Sequence, residues 1–61
     1  MPVWKMAKRR ERRGYTDEPE RTAFRDGYDD GFHNHRRNET HPYPNAYSAG
    51  YWEGFEDGAQ K

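Results

Sequence analysis

Three histidines and a group of carboxylates are the residues here whose types could do chemistry. His33 and His35 form a His-x-His pair, with His41 close behind. A zinc site needs three or four converging ligands. Two positions apart on a helix, the first two rings point about 200° away from each other, so they do not converge. The chain has no cysteine, which excludes thiolate ligands and disulfides. Asp29, Asp30, Glu53, Glu56 and Asp57 are of the type that does acid–base work. A catalytic carboxyl needs burial to shift its pKa, and a chain of 61 residues has little interior to offer. These acids read as a solvated face. Ser48 is the only serine and has no His–Asp context. The residues therefore predict a non-enzymatic protein with no metal and no cofactor.

Other residues point to binding. Lys5, Lys8, Arg9, Arg10, Arg12 and Arg13 stand against Glu11 alone in the first thirteen residues, a net +5. The remaining residues carry five basic and ten acidic side chains, a net −5. A basic arm on an acidic body is the footprint of a protein that meets nucleic acid or another anionic surface. The alternatives are a solubilising, disordered terminus and, third, an arm that pairs with the body's own acids. Arg36, Arg37, His41 and Tyr43 form a second basic and aromatic group. There, arginine could contact phosphate and tyrosine could stack on an unpaired base.

The elements that must position these groups come from an unusual composition. Leu and Ile are absent and Val3 is the only valine, yet there are ten aromatic residues. Any core must consist of rings packed on small residues. No apolar run is long enough to span a membrane or to act as a secretory signal, so the expected compartment is the cytoplasm.

Asp17 and Glu20 have capping-box spacing, with Pro19 in the first turn. A helix is expected over about 18–35. Pro42 and Pro44 place a linker at 36–45, and Asn45 is the expected N-cap of a second helix over about 46–57. Residues 1–15 read as a basic N-terminal arm, extended or disordered, ahead of a two-helix domain over 16–61.

The two helices repeat one pattern. A shift of 23 residues maps Phe24 on Tyr47, Gly27 on Gly50, Tyr28 on Tyr51, Gly31 on Gly54 and Phe32 on Phe55. Each interior glycine costs a helix about 1 kcal/mol relative to alanine, so these glycines must permit a close approach. The expected fold class is all-α: two short helices in an antiparallel hairpin, each laying its rings into the other's glycine groove.

Gly27-Tyr28-Asp29-Asp30-Gly31, then Pro42-Tyr43, then Trp52 with Gly54-Phe55, behind a basic N-terminus, resembles the ribosome modulation factor family of small bacterial ribosome-hibernation proteins. The likeness covers residues 25–57 and identifies the chain as a divergent member with an acidic body. It implies two helices joined by a linker, binding to the small ribosomal subunit near its rRNA, and inhibition of translation. The RNA-binding residues expected from arm and linker are Lys5, Lys8, Arg9, Arg10, Arg12, Arg13, Arg36, Arg37 and Tyr43. The structural motif is Gly27, Tyr28, Gly31, Phe32, Pro42, Gly50, Tyr51, Trp52, Gly54 and Phe55. The competing expectation is a small interaction module or inhibitor whose acidic face binds a basic protein. A DNA-associated protein is a third.

Overall fold

The glycine repeats set the architecture. In the computed structural model, which describes residues 2–60, three helices follow one another: α1 (Val3–Arg13), α2 (Glu20–Phe32) and α3 (Pro44–Ala59). The outermost residues of the expected arm and two-helix domain, Met1 and Lys61, lie outside the described residues.

α2 and α3 pack backbone to backbone. A Cβ at Gly27 would fall on the Tyr47 carbonyl oxygen, and one at Gly31 on that of Tyr51. From the other side, Gly50 faces the Phe24 carbonyl, Gly54 that of Tyr28, and Gly58 that of Phe32. The glycine groove thus receives the partner's main chain and not its rings. Small residues four apart allow this approach, and weak Cα–H···O=C contacts recur at such interfaces.

The order of these contacts corrects the expected hairpin. Later glycines of α2 meet later residues of α3, so the two helices run parallel. Their starts meet where Glu20 lies beside Pro42–Ala46. Their ends meet where Gly31 and Asn34 lie beside Phe55 and Gly58. The physical reason is in the linker. α2 is about 20 Å long, and residues 33–43 can stretch about 36 Å, enough to return the chain to its starting level. An antiparallel pair would need only about 2–5 connecting residues. Parallel packing sets each copy of the repeat against the other in register, related by a pseudo-twofold axis along the helices.

Local signals end and begin the helices. Asn34 adopts a left-handed conformation, φ 58°. The Asn34 N–H donates to Gly31 and the His35 N–H to Asp30, which is a Schellman stop at Phe32. α3 begins with Pro44 in its first turn, where a missing N–H costs nothing. Tyr43 is its N-cap, so Asn45 lies inside the helix.

The second correction concerns the expected arm, whose described residues, 2–15, are not free. Gly14 closes α1 in the left-handed conformation, φ 84°. Its N–H donates to Glu11, and the Tyr15 N–H donates to Arg10, again a Schellman motif. Arg10, Arg12 and Arg13 in the last turn favour the negative end of the helix dipole. The turn sends Tyr15 back onto Phe24, ring centroids 5.9 Å apart.

α1 is ordered because the glycine seam leaves two ring ladders uncovered, one on each side. Phe24, Tyr28 and Phe32 stack in sequence along α2, at 6.5 and 6.1 Å. Met6 of α1 and Tyr15 close this side, and Phe24 and Tyr28 are fully buried. On the other side His41 stacks on Tyr47 at 4.8 Å. The Tyr47 hydroxyl donates to Asp30 and accepts the Asn38 N–H, while the Tyr51 hydroxyl donates to the His35 carbonyl. The linker is thus the lid of the second ladder. It stops short of Phe55, which is 42% exposed, as is its neighbour Trp52 at 50%. No helix among the described residues is long and apolar enough to cross a membrane.

Candidate nucleic-acid interface

The structure sorts the six basic residues of the N-terminal segment into three groups. Arg9 and Arg13 turn inward onto α3. The Arg9 Nη2 lies 3.1 Å from Asp57 and its Nε 3.7 Å from Glu53. The Arg13 Nε lies 2.9 Å from Glu53. Two arginines four residues apart on α1 meet two carboxylates four residues apart on α3, a ladder with matching spacing.

Asp57 is the deepest member of this ladder, 4% exposed, and it also accepts the Tyr28 hydroxyl at 2.5 Å. Burial pushes its pKa upward, but hydrogen bonds from Arg9 and Tyr28, with the charges of Arg9 and Lys5, outweigh burial and hold the carboxyl below its ordinary value. The hydrogen bond to Asp57 raises the Arg9 pKa, so the pair stays charged. Burial, then the bond to Asp57, moves the Tyr28 phenol well above the ordinary tyrosine range. Burial and the bond to Asp30 move Tyr47 the same way.

Arg10 faces α2, with Nη1 3.7 Å from the Met6 sulfur. Lys8 and Arg12 remain on the outer face of α1, while Lys5, half-buried one turn before Arg9, lends its charge to Asp57. The first two flank Trp4, which is 65% exposed, and share a shallow groove with Glu11. Lys8 and Arg12 follow Trp4 at steps of four along one row of the helix, about 6 Å per step. The face offers cations with an indole among them, the combination that holds a phosphate chain and stacks an unpaired base.

The linker residues lie elsewhere. Arg36 is exposed, and Arg37 pairs with Glu39 at 3.6 Å. Tyr43 is 43% exposed, and its N–H donates to His41 Nδ1. Among the described residues no hydrogen bond, ion pair or ring contact joins this linker to α1. Arm and linker are therefore two surfaces.

The acidic residues do not form one free face. Glu53 and Asp57 are taken by α1, and Asp30 by Tyr47 and His35. Asp29 pairs with His33 at 3.3 Å. His41 contacts Asp26 at 3.6 Å. No group of three or more His, Asp or Glu side chains converges as a metal site among the described residues.

The sequence placed Arg9 and Arg13 among the RNA contacts, whereas these two follow the alternative in which the arm pairs with the body's own acids. The signal was present in the equal and opposite charges of arm and body and in the shared spacing of four. No family model matches the chain, and no curated protein or solved structure does either. The likeness to ribosome modulation factor rests on its short motifs and their order.

Proposed function

We propose that the chain is a small RNA-binding regulator of the ribosome, acting in the cytoplasm, with the outer face of α1 as its principal contact. The observation that supports this is the exposed row of Trp4, Lys8 and Arg12, whose two cations form no ion pair with the acidic body among the described residues. Arg9 and Arg13 hold α1 in place, so the cations that remain outward sit on a fixed helix and not on a loose tail. A fixed row loses less freedom on binding than a disordered segment does. Arg36 and Tyr43 add a separate contact from the linker. The motif order shared with ribosome modulation factor points to the small ribosomal subunit as the partner.

Sedimentation with purified ribosomal subunits tests this reading. Removing residues 1–13 would uncover Phe24 and Tyr28, so point variants are the better probe. The intact protein should travel with the small subunit at low salt, and Lys8→Gln with Arg12→Gln should return it to the top of the gradient. If the double variant sediments like the parent, the outer face is not the contact. If the parent never sediments, the ribosomal assignment fails.

A further inference from the structure

The groove between α1 and α2 carries a feature that the outer face of α1 does not explain. It encloses about 470 Å³ and is lined by Val3, Met6 and Arg10 from α1, and by Glu18, Arg21 and Arg25 from around α2. The Arg10 Nε is shut off from solvent and has no hydrogen-bond partner. Its Nη1 reaches only the Met6 sulfur, a weak acceptor. Arg21 and Arg25 lie one turn apart on α2, and neither side chain forms a hydrogen bond or ion pair among the described residues. The one carboxylate of the groove, Glu18, accepts the Thr22 hydroxyl at 2.5 Å.

Three guanidinium groups thus line one groove against a single carboxylate. Like charges gathered without a counterion repel, and a buried N–H without an acceptor is costly. An anion with several oxygens, bound in the open part of the groove, relieves the repulsion. The planar fork of arginine matches phosphate oxygens two at a time, and three forks suit a tetrahedral group. Val3 and Met6 give the groove an apolar wall, suited to the carbon skeleton attached to such a group.

We propose that the α1–α2 groove is a binding site for a phosphate group, held by Arg10, Arg21 and Arg25. The site lies apart from the Trp4–Lys8–Arg12 row, so it stands or falls independently of the ribosomal reading. The phosphate is either a terminal group, as in inorganic phosphate or a 5′-phosphorylated end, or a phosphodiester within an RNA strand.

The test follows the Arg10 Nε–Hε resonance of the full chain by NMR. Inorganic phosphate is titrated first, with sodium chloride at matched ionic strength as control. Two short RNA oligonucleotides follow, one with a 5′-phosphate and one with a 5′-hydroxyl. The Arg10 resonance should shift saturably with phosphate or oligonucleotide and not with chloride. Response to inorganic phosphate and the 5′-phosphorylated strand alone identifies a terminal group; equal response to both strands identifies a phosphodiester. Arg21→Gln with Arg25→Gln, both exposed helix positions, should weaken the titration at least tenfold. Glu18→Gln should tighten it, a gain that a folding defect could not produce. An Arg10 resonance that stays still with phosphate and both oligonucleotides, or moves equally with chloride, would overturn the proposal. So would a titration unaffected by the paired arginine substitutions.

Discussion

Gly54→Ala is the substitution in which two magnitudes oppose each other most clearly. On helix propensity alone, alanine at this interior position of α3 should stabilise by about 1 kcal/mol. The packing opposes this. The added Cβ would meet the Tyr28 carbonyl oxygen and lie 2.8 Å from the carbonyl carbon behind it. Both atoms are main chain of α2 and cannot rotate away as a side-chain end could. The helices must separate, which loosens the neighbouring contacts at Gly27, Gly31 and Gly50. Overpacking of this kind costs about 1–3 kcal/mol and sometimes more, and an obstacle made of backbone belongs at the upper end. A net loss of about 2 kcal/mol is expected once the propensity gain is subtracted. A domain of this length has about 3–9 kcal/mol to lose, and each kcal/mol moves the melting temperature of a small domain by about 4–8 °C. Thermal unfolding followed by circular dichroism should therefore show a fall of roughly 8–16 °C. Glu56→Ala, on the exposed face of α3, serves as the control and should change little. A rise in melting temperature for Gly54→Ala would refute the close backbone contact.

Two further outcomes test the arrangement of the helices. Parallel packing places Glu20 beside Asn45, so a Glu20→Cys, Asn45→Cys pair in this cysteine-free chain should be bridged by a short bifunctional maleimide, while Glu20→Cys with Ala59→Cys should not; the reverse result would restore an antiparallel hairpin. The Asp57 carboxyl titrates below its ordinary value in the folded chain. Its stabilisation is therefore complete above the ordinary aspartate pKa, about 3.9, and is lost as the pH falls through the lower folded value. Asp57→Asn should lower the melting temperature at pH 7 and flatten its dependence on pH in the acid range, and a variant that keeps the parent's acid profile would show that Asp57 does not link α1 to α3.

Much of the helix pair was legible in the sequence, because glycines and rings that recur together at steps of four, in two copies, specify two helices joined along a small-residue seam. The direction of α3 was less legible. Two copies of one glycine-and-ring pattern can mesh as a small-residue seam in either orientation, and the length of the return linker favours the parallel one. α1 was hidden for a different reason. Its docking face has one buried apolar side chain, Met6, so it lacks the stripe by which an amphipathic helix is recognised. It is held by matched charges and by the ring ladder that it covers, and the charge partners lie some forty positions away. Its stop signal, basic residues followed by Gly14, could have been read locally. Phe55 shows the converse. Its spacing places it with Tyr47 and Tyr51, but burial depends on the linker, which ends its cover before reaching that ring.

The outer face of α1 as an RNA contact is tested most directly through the indole of Trp4. In a Trp52→Phe chain Trp4 is the only tryptophan, so its emission can be titrated with single-stranded RNA over a series of salt concentrations. The emission should be quenched as a base stacks on the ring. With Lys8 and Arg12 neutralising phosphates, log K against log salt should fall with a slope near −1.4, about 0.7 for each contact. Lys8→Gln with Arg12→Gln should remove most of this slope. Emission that RNA leaves unchanged, or binding whose salt slope the paired substitutions do not alter, would contradict the account.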